Sequence, residues 1–186
     1  MMKKFMIFSM MCLMALTSKA QVLTSATVNK VYEGVAMDSD SEFVYNAEYD
    51  GNGNITTMYV YQKRTRHKGS VDLEPLCRYQ YAYTKEGLLS SRIKSVWRRG
   101  DWRQFGRHTY TLTADTYTVE FSRWNKKKAD YDLPLGKMTY SLLPDESIGS
   151  IACYYRHHKN TPLELEWEAV MECRPISMDY DLTHAK

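Results

Sequence analysis

Polar and apolar residues alternate along most of this chain. Cys77, Tyr79, Tyr81 and Tyr83 take every second position, with Arg78, Gln80, Ala82 and Thr84 between them. Leu89, Ser91, Ile93, Ser95 and Trp97 continue the pattern. Later, Leu163, Leu165, Trp167, Ala169, Met171 and Cys173 are separated by Glu164, Glu166, Glu168 and Glu172. A period of two sends neighbours to opposite faces of an extended chain. Each run therefore predicts an antiparallel strand with one packed face and one wet face. The glutamates of the last run would also guard a sheet edge. No long stretch keeps the 3.6-residue period of a helix.

The predicted strands come in pairs. Tyr49, Tyr83, Leu112 and Leu142 each end a strand and precede a turn, at residues 50–54, 84–87, 113–116 and 144–147. The return strands open at Ile55, Leu89, Val119 and Ile148 and end in Tyr61, Trp97, Trp124 and Tyr155. The unit recurs every 30 residues or so, roughly the spacing of repeated supersecondary elements. Consecutive hairpins make a meander. The expected fold is all-β: an antiparallel meander of about eight or nine strands over residues 41–175, forming a single twisted sheet or an open barrel. Residues 21–40 are expected to be an N-terminal lead-in segment with at most one or two short strands, and residues 176–186 a C-terminal tail.

The first residues read differently. Lys3 and Lys4 precede an apolar run from Phe5 to Leu16, and Ser18 and Ala20 precede Gln21. A basic start, a short apolar stretch and small residues at its end make a signal peptide of residues 1–20. The run is too short for a spanning helix. Met10 and Met11 stand where a lipoprotein signal needs small residues before Cys12. The expected product is a soluble exported protein, periplasmic or secreted, with no transmembrane segment. It contains enough chain to bury roughly 68–70% of its unfolded surface.

Export changes the charge and cysteine counts. The formal charge of +3 rests on Lys3, Lys4 and Lys19, so the mature chain is neutral. Overall basicity thus gives no reason to invoke nucleic acid. Cys77, Cys153 and Cys173 remain, which permits one disulfide at most. A turn near residues 159–162 would set Cys153 opposite residue 167 or 168. Cys173 then lies several residues beyond the reach of a bridge, which needs Cα atoms about 4.4–6.8 Å apart.

The stretch EYDGNGNITTMYVY, residues 48–61, is similar to a tyrosine–aspartate (YD) repeat of large secreted wall-forming proteins. Tyr49, Asp50, Gly53, Asn54, Ile55 and Thr56 match that short motif. The match covers one unit; the later units keep the rhythm but lose the Asp and Asn. It implies a hairpin and carries no encapsulating function. The signal ending in Ala20-Gln21, the size and the tyrosine-rich meander also resemble a family of small exported proteins of gut Bacteroidetes, catalogued as a domain of unknown function. That resemblance implies no activity.

Alternate turns of a meander lie at opposite ends of the sheet. One end gathers Asp50, Glu86, Asp115, Asp145 and Glu146. The other gathers Lys63, Arg64, Arg66, His67 and Lys68, then Arg98 and Arg99, then Lys126, Lys127 and Lys128, then Arg156, His157, His158 and Lys159. Tyr61, Trp97, Trp102, Trp124 and Tyr155 stand beside them. Aromatic faces stack on sugars, and Lys and Arg contact carboxylate, sulfate or phosphate. The candidate ligand-binding residues are therefore Arg64, Arg66, Trp97, Arg98, Arg99, Trp102, Trp124, Lys126, Lys127, Lys128, Tyr155 and Arg156. The expected partner is an anionic glycan, a lipopolysaccharide or another cell-surface component. In the blander account these loops are polar because they are wet, and the aromatics close the ends of the core.

Chemical motifs are weak. The sequence contains no nucleophile elbow, no His-Glu-x-x-His, no phosphate-binding glycine loop and no paired-cysteine zinc pattern. Neither a cofactor nor a metal is expected. His157 and His158 would point to opposite faces of a strand and chelate one metal poorly. Cys77 and His108 could imitate a nucleophile pair but read better as core residues. Glu164, Glu166 and Glu168 read as a solvated strand face. Arg99-Gly100-Asp101, an adhesion tripeptide elsewhere, is also ordinary turn chemistry. Asn54-Ile55-Thr56 is a glycosylation acceptor only in a host that uses such sites. The favoured expectation is a non-catalytic binding module. The alternatives are an assembly protein that pairs through open sheet edges, or a small hydrolase.

Overall fold

The structure, a computed structural model, describes residues 22–38, 40–65, 70–145 and 147–171. The expected signal peptide, the C-terminal tail and Cys173 lie outside these residues. Among the described residues, one helix, α1 (Ser25–Ala36), precedes ten strands. They are β1 (Phe43–Tyr49), β2 (Ile55–Thr65), β3 (Val71–Tyr83), β4 (Leu89–Arg98), β5 (Asp101–Leu112), β6 (Thr116–Asn125), β7 (Asp130–Tyr131), β8 (Gly136–Leu142), β9 (Ile148–Tyr155) and β10 (Glu164–Val170). Nine of them form one open antiparallel sheet in the order β1-β2-β3-β4-β5-β6-β8-β9-β10, and the short β7 pairs with the end of β6. The meander is as expected; the sheet does not close into a barrel, so β1 and β10 remain edges.

The turn parity also holds. Residues 50–54, 84–88, 113–115, 143–145 and 147 lie at one end, which we call the near end. The end of β2 at Thr65 and the start of β3 at Val71, residues 99–100, 126–129 and 156–163 lie at the far end. In the last hairpin Cys153 pairs with Trp167, as the turn position predicts.

The helix is a correction. The lead-in segment was expected to hold at most one or two short strands, and Thr27, Val28, Val31 and Val35 are β-branched residues that do not favour a helix. Instead Thr24 caps a helix, its hydroxyl accepting from the Thr27 amide at 3.2 Å. Val28, Tyr32 and Val35 then fall on one helical face. Tertiary contacts fix the outcome. Asn29 donates to the Gly53 carbonyl at 2.9 Å and accepts from the Ile55 amide at 3.1 Å. The Ser25 amide donates to the Gly87 carbonyl, and the Leu89 amide donates to the Leu23 carbonyl. The helix is thus fastened to the first two near-end turns.

Those turns are built to receive it. The Asp50 carboxylate accepts from the amides of Asn52 and Asn54, each at 2.9 Å, and from the Asn54 side chain at 3.0 Å. The Asn54 hydrogen bonds, from side chain first, hold the Asp50 carboxyl below its usual range. Gly53 and Gly87 take positive φ angles of 78° and 79°, where a side chain would be strained. The core lies here: Val28, Ile55, Leu89, Tyr110, Tyr117 and Val119 pack together under the helix. Among the described residues, no helix is long and apolar enough to cross a membrane.

Candidate binding surface

At the far end the packing changes character. Trp97 and Trp102 face each other across the β4–β5 hairpin, with ring centroids 4.9 Å apart and the planes at 66°. Tyr59 lies 6.0 Å from Trp102, and Tyr61 stacks on Tyr59 at 6.5 Å. The Arg78 guanidinium stands 5.2 Å from the centre of the Trp102 ring. Register explains the gathering. Tyr59 pairs with Arg78, Arg78 with Ser95, and Ser95 with Gln104, so all four share a row on one face. Ser95 has no exposed surface beneath this cluster.

The strip continues toward β6. Tyr131 donates its hydroxyl to Gln104 Oε1 at 3.0 Å. The Arg107 guanidinium covers the Tyr131 ring at 4.4 Å, and Trp124 meets that ring edge-on at 5.1 Å. Cations over rings attract through the ring quadrupole, by about 0.5–2 kcal/mol depending on desolvation.

The opposite face carries a second stacked set. Arg92 and Lys94 each stand 5.5 Å from the Tyr79 ring. His108 lies against Phe121 at 4.9 Å. Burial, aided by the charges of Arg92 and Lys94, lowers the His108 imidazole to about 3. Cys77 is buried and its thiol is raised, chiefly by that burial. Cys77 is level with Val96, whereas His108 is level with Arg92. Four residues of strand separate the two levels, roughly 13 Å. The register therefore does not make a nucleophile pair of them.

The second far-end feature is a cleft of about 310 Å³ between residues 132–135 and the loop after β9. Arg156 ties its walls together. Its amide donates to the Leu135 carbonyl at 2.8 Å, its Nε to the Pro134 carbonyl at 2.9 Å, and its guanidinium also to the Thr161 carbonyl. Lys128 pairs with Asp132 at 3.2 Å, and Asn125 donates to the same carboxylate. These contacts, Asn125 first, lower the Asp132 carboxyl. His157 pairs with Glu166 at 2.7 Å. Arg123, His158 and Lys159 complete the lining.

The predicted residues therefore divide. Trp97 and Trp102 meet directly; Trp124 joins them through Tyr131 and Gln104. Lys128 and Arg156 meet in the cleft, and Tyr155 packs edge-on against His157 nearby. Arg98 and Arg99 sit at the β4–β5 turn, where Arg99 and Gly100 have φ of 54° and 78°. Asp101 of that turn pairs with Arg103 at 3.5 Å. Lys126 and Lys127 lie in the β6–β7 turn, the latter donating its amide to Asn125 Oδ1 at 3.0 Å. Arg64 is held by Glu74 at 2.7 Å, away from both clusters. Arg66 lies outside the described residues. Sequence reading missed Tyr59, Arg78, Gln104, Arg107, Arg123 and Tyr131, all of which are strand residues rather than loop residues. The alternating pattern marks them only as strand positions. Among the described residues, no group of three or more His, Cys, Asp or Glu side chains could hold a metal ion.

Comparison with known proteins gives a family and a fold. A crystal structure of a protein of unknown function from Bacteroides fragilis matches 69% of this chain and 91% of its own, with 22% identity and a TM-score of 0.59. A DUF3836 family protein from Bacteroides vulgatus matches 55% of this chain and 100% of its own, with 23% identity and a TM-score of 0.46. No curated protein matches. The model of the family of unknown function (DUF3836) matches residues 2–142. The chain, with its open antiparallel sheet, thus belongs to the DUF3836 family.

Proposed function

We propose that this is an exported, non-catalytic binding protein whose far end takes an anionic glycan of a cell surface. The observation that carries the reading is the Trp97–Trp102 pair with Tyr59 and Arg78 on one sheet face, at the end where the basic loops gather. Sugar rings present apolar C–H faces that stack on indole and phenol rings. Lys and Arg at the rim supply the charge that holds an acidic substituent. No single charge would dominate, so salt should weaken the binding steeply. A glycan array probed at low salt tests this. Capture of acidic glycans by the protein, lost in Trp102→Ala and reduced in an Arg98→Gln/Arg99→Gln variant, supports it. No capture, or capture indifferent to both variants, refutes it.

A second reading is assembly through the sheet edges. Its motive is β10, an edge strand whose residues are all exposed, Leu165 and Trp167 among them. Strand addition would cover such an edge. A monomer at every concentration in analytical ultracentrifugation would remove self-assembly from consideration.

A further inference from the structure

We propose that the far-end cleft is a site for a tetrahedral oxyanion, the phosphate or sulfate ester group of a saccharide. This rests on the binding reading above and names the group that the charged part of the surface recognises. Three observations converge on it. First, Arg123 and Lys159 line the cleft and make no ion pair among the described residues. The one carboxylate in the lining, Asp132, is hydrogen-bonded by Asn125 and Lys128, and Lys159 acts on it only through its charge, so neither Arg123 nor Lys159 has a carboxylate in contact with it among the described residues. Secondly, the walls are fixed before anything binds. Arg156 uses its amide, Nε and guanidinium on carbonyls of both loops, and the Asp132 amide donates to the Arg123 carbonyl at 2.9 Å. A preformed site avoids the ordering cost of loop closure on binding. Thirdly, the volume of about 310 Å³ exceeds what a bare oxyanion fills and falls at the lower end of small-ligand clefts. Leu133 and Leu135 give it an apolar wall on which the carbon skeleton of an attached sugar would rest.

The roles then divide. Arg123 supplies a guanidinium fork, which matches two oxygens of one oxyanion, and Lys159 supplies a point charge beside it. Arg156 is a positioning residue: its guanidinium serves the loop carbonyls.

Inorganic phosphate and inorganic sulfate, titrated separately into the isotope-labelled protein and followed by amide NMR shifts, test the site. Saturable shifts confined to residues 123, 128, 132–135 and 156–160 are expected. Arg123→Gln and Lys159→Gln should each weaken binding by about tenfold, as loss of one charge-assisted contact implies. Lys159 is exposed, so its variant isolates charge from folding. Glucose 6-phosphate and glucose 6-sulfate, both expected to bind tighter than the bare ions, distinguish the two ester sources by their rank. Shifts that never saturate, or that persist unchanged in the Arg123→Gln/Lys159→Gln double variant, overturn the site. If phosphate fails while Trp102-dependent glycan capture persists, the cleft inference falls and the broader binding reading stands.

Discussion

Trp97 faces Trp102 because Phe105 is bulged out of register. Lys94 pairs with Gly106, but the next residue, Ser95, pairs with Gln104. Without that extra residue Trp97 would oppose Arg103, and Trp102 would pass to the other face. A bulge that re-aims a side chain is a common device beside binding sites. The ring of Phe121 covers the position behind it: a methyl group on Gly106 would meet that ring at 2.5 Å.

An edge-to-face pair adds stability beyond its buried area, by about 0.5–1.5 kcal/mol. A double-mutant cycle on Trp97→Leu and Trp102→Leu should give a coupling free energy of about 1 kcal/mol. Either single variant should also abolish the exciton-coupled circular dichroism of the pair. Strict additivity would show that the rings do not interact in solution.

Arg99 occupies a left-handed conformation in a two-residue hairpin turn that Asn-Gly fills best. Arg99→Asn should therefore stabilise the protein by about 1 kcal/mol, the approximate cost of that conformation for an ordinary side chain. Under the proposed function, the same variant weakens acidic-glycan capture. A rise in melting temperature with a fall in binding is the expected result, and an unchanged melting temperature counts against the turn argument.

His108 makes stability depend on pH in a defined direction. Its folded value of about 3 lies below the ordinary 6.5, mainly through burial. The unfolded chain takes up the proton first as pH falls, so His108 costs stability progressively from pH 6.5 down to about 3. Above pH 6.5 it contributes no slope. Urea unfolding across that interval should show a flatter decline in His108→Gln, and an unaltered slope would assign the acid sensitivity to other groups.

Asn29 holds the helix to the first turn with both ends of its amide. Asn29→Ala leaves the amide of fully buried Ile55 without that partner, a loss of about 1–2 kcal/mol. Hydrogen exchange locates the effect. The Ile55 amide should exchange faster in the variant while the amides of β8 and β9 keep their rates.

Much of this was legible in the sequence. Strand alternation and turn chemistry are local, so the meander and its parity follow from residues such as Asp50, Gly53 and Gly87. The pairing of Cys153 with Trp167 follows from one turn position. The helix was not legible, because what stabilises it is distant: Asn29 reaches a carbonyl 24 residues away. The candidate surface was half legible. Loop charges can be assigned to one end by counting turns. Which of them meet depends on register, and a single bulged residue such as Phe105 changes register without leaving a mark in the alternation. The stacked cations Arg78 and Arg107 were hidden for the same reason, as was the Tyr131 ring that Arg107 covers. The pairing of Arg64 with Glu74, on the neighbouring strand, depends on register in the same way.

The helix contacts β1 and β2. Toward the far end, rings lie on rings and guanidinium groups lie on rings, all within the thickness of one sheet. Side chains there do the work that a second layer does in a sandwich. Anything flat and apolar on one side that settles on Trp102 and Tyr59 becomes that layer. Ligand occupancy and folding of the far half are then one equilibrium, and a ligand would announce itself as a rise in melting temperature, without labels and before its chemistry is known.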